Sequence, residues 1–322
     1  MKKIAVFTSG GDAPGMNACL RAVVRTAVAE GLEVLGIRYG YEGMIDGDFF
    51  GMDASSVANI IQRGGTILKT ARSKRFLAPE GRAQAKAQVE KHGIEGMIAI
   101  GGDGTFRGAV EFSKICSVPV IGCPGTIDND LNGTDYTIGF DTAINTVIDA
   151  VDKIRDTAES HNRVFIVEVM GRDAGLIALY SGIGAGAEGI LIPESRNDMR
   201  NVMERLGSGR EDKRSKIIIV AEGDEAGGAF RVSEEVKKRF PSLDVRVTIL
   251  GHIQRGGSPS CMERVNASRI GYEAVKALIA GKRQLMTGIV SGKITFTPLE
   301  LAVKQMQEPN PELLNMIDIL AR

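Results

Sequence analysis

The sequence predicts an α/β fold built as two three-layer domains with mostly parallel sheets, the chain crossing between them more than once. Three observations carry this. First, short β-branched apolar runs alternate with stretches of helical length. Continuous apolar runs suit strands buried on both faces, as in parallel sheets, and alternating strands and helices imply right-handed crossovers with helices covering the sheet. Second, each such run opens into a Gly-rich loop. The 40 glycines among 322 residues exceed the usual ~7 % and cluster in these loops rather than in low-complexity tracts. Third, the length suits two domains at roughly 100–200 residues each, yet no Pro/Ser/Gly-rich linker divides the chain.

The elements follow in order. Ile4–Phe7 reads as the first strand and leads into Thr8-Ser9-Gly10-Gly11-Asp12, with a helix after it that carries Arg21 and Arg25. Gly96–Ile100 leads into Gly101-Gly102-Asp103-Gly104-Thr105, where a helix is expected to begin near Thr105. Val118–Cys123 leads into Pro124-Gly125-Thr126, with Pro124 expected to end the strand. Val164–Val169 precedes Met170-Gly171-Arg172, Lys216–Ala221 precedes Glu222-Gly223, and Arg246–Leu250 precedes Gly251-His252. Pro309-Asn310-Pro311 breaks the chain, and Pro311 to Arg322 reads as a last helix. Ligands of open α/β sheets bind beyond the carboxyl ends of the strands, so the Gly-rich loops and the expected site coincide.

Composition removes several functions. Forty basic residues balance forty acidic ones, against general binding to nucleic acid or an anionic membrane. There is no Trp and few aromatics, which disfavours a platform for stacked bases. No apolar run approaches 18 residues, and the run after Met1-Lys2-Lys3 is too short for a secretion signal. Cys19, Cys116, Cys123 and Cys261 form no CxxC pair and read as reduced, mostly buried thiols of a cytosolic protein. His92, His161 and His252 are too dispersed to suggest a zinc site. The charge runs at 210–216 and 237–239 read as solvated surface.

The loops carry the chemistry. Glycines at Gly101, Gly102 and Gly104 let backbone amides approach a phosphate, and a helix N-terminus adds positive field. The segment is neither a Walker A loop nor GxGxxG. Asp103 in its middle would repel phosphate unless a cation intervened, which points to Mg²⁺ bridging Asp103 and phosphate oxygens. The same residues could instead form a tight turn with Asp103 as an N-cap. In Pro124–Asp130, an extended chain would aim Asp128 and Asp130 to one side, giving a base and an orienting or metal-linked partner. The alternative is an Asx-rich surface turn. Arg163, Arg172, Arg246, Arg255 and His252 lie at expected strand starts or strand ends, a basic group suited to an anionic small molecule. Arg21 and Arg25, four apart, share a helix face, which a wet surface would equally explain.

Ser9-Gly10-Gly11-Asp12-Ala13-Pro14-Gly15-Met16-Asn17, together with Gly101–Thr105, Pro124–Asp130, Met170–Arg172 and Gly251–Pro259, resembles the bacterial ATP-dependent 6-phosphofructokinases in order and spacing, from residue 1 to about residue 280. The resemblance implies two Rossmann-like domains: a larger ATP-binding one at 1–139 and 254–304, and a smaller fructose 6-phosphate-binding one at 140–253 and 305–322. It implies transfer of the ATP γ-phosphoryl group to the 1-hydroxyl of fructose 6-phosphate in the cytoplasm, the committed step of glycolysis. Gly11, Arg72, Ser73 and Gly102, Asp103, Gly104 and Thr105 would line the ATP site, with Asp103 on Mg²⁺. Asp128 would be the base, beside Thr126 and Asp130, with Arg172 facing the transferring group. Met170, Gly171 and Glu222 would contact the sugar, and Arg163, Arg246, His252 and Arg255 its phosphate. Arg163 and Arg246 would reach in from a neighbour in a homotetramer. ADP and phosphoenolpyruvate would act as effectors at Arg21, Arg25, Arg155, Gly186, Glu188, Lys213 and Arg214.

Four places depart from the family pattern: Ala54 for an effector-site Arg, Glu211 in a stretch where relatives carry Lys and which is one residue shorter in this chain, Leu176 for Asp, and Ser73-Lys74-Arg75 beside the nucleotide. Pyrophosphate-dependent relatives typically carry Asp at the position of Gly104 and Lys at that of Gly125, so two glycines here favour ATP. A non-catalytic sugar-phosphate sensor would not need Asp103 and Asp128, and both are present.

Overall fold

The computed structural model describes residues 1–161, 163–194, 198–208, 216–224, 227–304 and 310–320. In chain order the elements begin with β1 (Lys3–Ser9), α1 (Met16–Ala29), β2 (Glu33–Ile37), α2 (Tyr41–Asp46), β3 (Phe49–Met52) and α3 (Pro79–Lys91). Next come β4 (Gly96–Gly101), α4 (Asp103–Ser113), β5 (Val120–Thr126), β6 (Ile138–Gly139) and α5 (Phe140–His161). Then follow β7 (Arg163–Val169), α6 (Leu176–Gly184), β8 (Gly189–Leu191), α7 (Asp198–Ser208), β9 (Lys216–Ala221), α8 (Gly228–Arg239) and β10 (Asp244–Ile249). The chain ends with α9 (Cys261–Ile279), β11 (Leu285–Val290), β12 (Lys293–Pro298) and α10 (Pro311–Leu320). Among the described residues no helix is long and apolar enough to cross a membrane.

Two compact units form, one of Met1–Thr142 with Arg255–Gln305, the other of Ala143–Gln254 with Met306–Arg322. The first holds an eight-stranded sheet in the order β12-β11-β5-β4-β1-β2-β3, with β6 pairing the end of β5. It is parallel except at its margins, where β3 and β12 run antiparallel to β2 and β11. The second holds a parallel sheet ordered β10-β7-β9-β8. This is the α/β architecture that the apolar runs predict. In β9, Ile217, Ile218, Ile219 and Val220 are all fully buried, which a parallel strand covered on both faces requires. Each such side chain contributes roughly 1.5–3 kcal/mol by leaving water.

Three expectations about elements are corrected. Pro124 does not end β5, which runs on to Thr126. On the side away from β4, β5 pairs with β11 at Ile121 and Gly122 and with β6 at Gly125 and Thr126. Pro124 falls in the gap, where a missing N–H interrupts neither pairing. The helix after β4 starts at Asp103, two residues before Thr105. Arg246 is the third residue of β10, not its first, because Asp244 and Val245 already pair with β7.

Beneath the loops of the first unit lies an aromatic cluster. Tyr41 stacks on Phe76 at 3.9 Å between ring centroids and touches Phe7 at 5.0 Å. The Tyr41 hydroxyl donates to the Thr105 carbonyl at 2.6 Å, tying α2 to the first turn of α4. Burial pushes the Tyr41 hydroxyl far above its ordinary pKa, so it stays a donor.

Candidate active site

Neighbouring parallel strands place their following loops side by side. The register Gly101↔Pro124 sets the β4–α4 loop beside the segment after β5. Gly102 is the N-cap of α4, with no side-chain cap, and Asp103 is the first helical residue, so Asp103 is not the N-cap. The Asp103 carboxylate accepts from Arg107 Nε at 2.9 Å, one turn along α4, and from the Lys304 main-chain N–H at 2.8 Å. Thr105 turns inward: it is buried, and its hydroxyl donates to the Ser9 carbonyl at 3.0 Å, stitching α4 to the end of β1.

Gly104 and Gly125 differ in kind. A Cβ at Gly104 would meet no protein atom within 4 Å, so nothing in the fold demands glycine there. A Cβ at Gly125 would come within 2.9 Å of the Met16 methyl and 3.3 Å of the Gly101 nitrogen, a tight fit that only a shift of the Met16 side chain would relieve. Open space over Gly104, at a helix N-terminus, is the cradle a phosphate would fill.

Asp128 and Asp130 are 3 % and 6 % exposed, which excludes a surface turn. They are not neighbours on an extended strand either. β5 ends at Thr126, and Asn129 adopts a left-handed φ of 54°. The turn is pinned by side chains: Asn129 donates to the Asp135 carbonyl at 3.0 Å and accepts the Thr137 N–H at 2.7 Å. Thr137 donates its hydroxyl to the Thr126 carbonyl at 2.6 Å, and Thr126 Oγ1 accepts the Asp128 N–H at 3.2 Å. Burial, and then the adjacent Asp128, push the Asp130 carboxyl up to about 6, with Lys304 opposing the shift. The Lys304 ammonium stands 3.7 Å from Asp130.

Elsewhere in this unit, the Arg255 guanidinium donates to the Asp12 carbonyl at 3.2 Å and would lie 2.6 Å from a Cβ at Gly11. Arg72 is exposed, and Ser73 accepts the Phe76 N–H at 3.1 Å. Arg75 is engaged away from the loops, by Glu42 at 2.7 Å and Asp46 at 2.8 Å.

In the second unit, β7 is followed by Met170, Gly171 and Arg172, the last with a left-handed φ of 55°. Glu222 accepts the Arg172 N–H at 2.8 Å. The fully buried Gln254 accepts the Met170 N–H at 3.2 Å and donates to Gly251 at 3.0 Å, orienting the turn that displays His252. On adjacent strands, Arg163 at 2.7 Å and Arg246 at 3.0 Å converge on Asp244, whose carboxyl they hold below its ordinary pKa.

The effector group falls in both units. Arg21 is half-buried and Arg25 exposed on α1 of the first. Ala54 sits beside Asp53, which accepts hydrogen bonds from Ser55 and Ser56 that hold its carboxyl down at about 2. In the second unit Arg155 donates to the Ala185 carbonyl at 2.5 Å, next to Gly186. Glu188 is buried and accepts the Ile217 N–H. Lys213, Arg214 and Glu211 lie outside the described residues.

Sequence reasoning missed Arg107, Asn129, Gln254 and Lys304. Arg107 was legible as an i,i+4 partner of Asp103, and Asn129 as a residue that tolerates left-handed backbone. Gln254 stood inside a quoted motif. Lys304, 201 residues from Asp103, gave no local signal.

The residues fit a divalent cation that arrives with its phosphates. Among the described residues no group of three or more His, Cys, Asp or Glu could hold a metal by itself. Mg²⁺ on a nucleotide needs only one or two carboxylates, and Asp103 offers one beside an open cradle.

The family model described as phosphofructokinase matches residues 3–278. ATP-dependent 6-phosphofructokinase 1 of Thermus thermophilus is 56 % identical over 100 % of both chains. ATP-dependent 6-phosphofructokinase of Cytophaga hutchinsonii is 53 % identical over 99 % of this chain and 98 % of its own. Among solved structures, phosphofructokinase from Saccharomyces cerevisiae superposes with a TM-score of 0.88 at 34 % identity, over 94 % of this chain and 44 % of that longer one.

Proposed function

Because the chain belongs to the phosphofructokinase family, we propose that it is an ATP-dependent 6-phosphofructokinase, transferring the ATP γ-phosphoryl group to the 1-hydroxyl of fructose 6-phosphate. The observation that carries this is Asp128: a carboxylate 3 % exposed, at the end of β5 and beside the β4–α4 cradle. Phosphoryl transfer asks for positioning and charge neutralisation more than covalent catalysis.

In this assignment 1–139 with 254–304 bind ATP, and 140–253 with 305–322 bind the sugar phosphate. The Gly102–Thr105 turn, Gly11, Arg72 and Ser73 receive the nucleotide. Asp103 would hold Mg²⁺, which would supply neutralisation of the phosphate charge. Asp128 accepts the proton of the sugar 1-hydroxyl, Thr126 fixes the Asp128 main chain, and Asp130 lies alongside. Arg172 offsets charge on the transferring group. Met170, Gly171 and Glu222 face the sugar. Arg163, Arg246, His252 and Arg255 take its phosphate, where guanidinium forks suit a dianion. We assign the enzyme to the cytoplasm as a homotetramer in which Arg163 and Arg246 complete a neighbour's site. ADP and phosphoenolpyruvate act at the group containing Arg21, Arg25, Arg155, Gly186 and Glu188, with Lys213 and Arg214. Regulation there is weak, because Ala54 supplies no charge and Glu211 opposes an anion.

The test is a coupled assay for fructose 1,6-bisphosphate with Mg²⁺ and fructose 6-phosphate, using ATP and then pyrophosphate as donor. Turnover with ATP is the expected result. Turnover with pyrophosphate alone would reassign the donor, and none with either would remove the kinase reading.

A further inference from the structure

We propose that Lys304 is a positioning residue of the phosphoryl-transfer site, its main chain aiming Asp103 and its ammonium holding Asp130. This rests on the assignment of those carboxylates made above. The Lys304 N–H donates to Asp103 at 2.8 Å, and its Nζ stands 3.7 Å from an Asp130 oxygen. An antiparallel bridge between Leu131 and Lys304 sets the register of both contacts. Upstream, Leu299 and Ala302 are fully buried, and Asn132 donates to the Leu301 carbonyl at 3.2 Å. The segment is therefore anchored just after the acidic turn, at Leu131 and Asn132.

The charge balance explains why a cation is needed. Asp128 and Asp130 are buried two residues apart, and Asp103 adds a third carboxylate nearby. Like charges in a poorly solvated site raise one another's proton affinity and repel an incoming phosphate. Arg107 also engages Asp103, but its side chain is 60 % exposed and solvent screens it. The Lys304 side chain is 28 % exposed against 8 % for Asp130, so its charge acts from inside. Replacing it leaves its amide in place, so Asp103 keeps its aim while Asp130 loses its counter-charge.

The experiment compares Lys304→Met and Lys304→Arg with the unmodified enzyme. It measures kcat, KM for fructose 6-phosphate, and Mn²⁺·ATP binding by electron paramagnetic resonance without the sugar. Lys304→Met is expected to lose about tenfold or more in kcat, with KM and Mn²⁺·ATP affinity within about threefold. Lys304→Arg is expected to recover most of the loss, since it restores the charge. Unchanged kcat in Lys304→Met overturns the proposal. Parallel loss of Mn²⁺·ATP binding, or no recovery with Arg, also overturns it, marking a strut rather than a charge at Asp130. Should Lys304→Met not fold by circular dichroism, Lys304→Gln carries the same readouts. An unmodified enzyme inactive with ATP would sink the kinase assignment itself, whereas an active one with an indifferent Lys304→Met sinks only this inference.

Discussion

The acidic turn of the first unit and the basic strand ends of the second handle charge in opposite ways. Asp128 and Asp130 are sunk to 3 % and 6 % exposure, and hydrogen bonds through Asn129, Thr137 and Thr126 allow the turn little freedom. Arg163 and Arg246 stand on the open edge strand β10 and its neighbour, sharing an exposed Asp244. Under the proposed roles this contrast is a division of labour. A group that moves a proton gains from burial, which tunes its acidity and fixes its geometry. A group that captures a dianion gains from exposure, because it stays charged and can exchange one carboxylate for another anion.

The largest expected break comes at the buried side. Asp128→Asn should lower kcat by roughly 10²–10⁴-fold with KM for fructose 6-phosphate nearly constant, in steady-state kinetics. A near-normal kcat would remove Asp128 from the base role.

The next effect sharpens the cost of burial where no reaction occurs. Glu263, third in α9, accepts the Thr142 N–H and hydroxyl at the start of α5, and burial pushes its carboxyl up to about 7. An acid with a raised folded pKa binds more protons folded than unfolded between its two pKa values. Stability therefore falls as pH rises from about 4.5 to about 7, by up to ~3 kcal/mol. Denaturant melts of the unmodified protein should trace that fall, and Glu263→Gln should flatten it. Parallel pH profiles for the two proteins would contradict this.

At the exposed side the losses are smaller and of another kind. Arg246→Ala should raise KM for fructose 6-phosphate by about 10–100-fold, the value of a charge-assisted bond of ~1.5–3 kcal/mol, with kcat changed little. A loss confined to kcat would blur the distinction between the regions. Smallest of all is the effector group. Ala54→Arg should tighten phosphoenolpyruvate or ADP binding only a few-fold, since an exposed pair contributes about 0–1 kcal/mol. Calorimetric titration reads it, and a gain of tens-fold would show that position 54 is buried when effector binds.

What the sequence disclosed follows the same physics. β1, β4, β5, β7 and β9 were legible as apolar runs because both of their faces are buried, and β10, an edge strand exposed at Asp244, Arg246 and Ile249, by its β-branched residues. β3 and β12 were not, being antiparallel margins with exposed or polar residues, and β6 is only two residues long. The pairing of Asp128 with Asp130 was legible as spacing, but its cause was misread: a left-handed Asn129, not an extended chain, brings them together. Contacts made by main chain across the fold, such as Lys304 to Asp103, leave no trace in residue types.

One consequence of the strand order concerns synthesis. β5 carries the acidic turn, yet one of its flanks is paired by β11, which begins at Leu285, with more than a hundred residues made between them. As the polypeptide leaves the ribosome, the sheet β5-β4-β1-β2-β3 is left with an unpaired edge at Ile121 and Gly122 while all of β7–β10 emerges. Bare strand edges recruit other strands, so this interval is where nascent molecules are most exposed to mutual aggregation and most dependent on chaperones. Closure by a late hairpin, β11 with β12, ends that exposure.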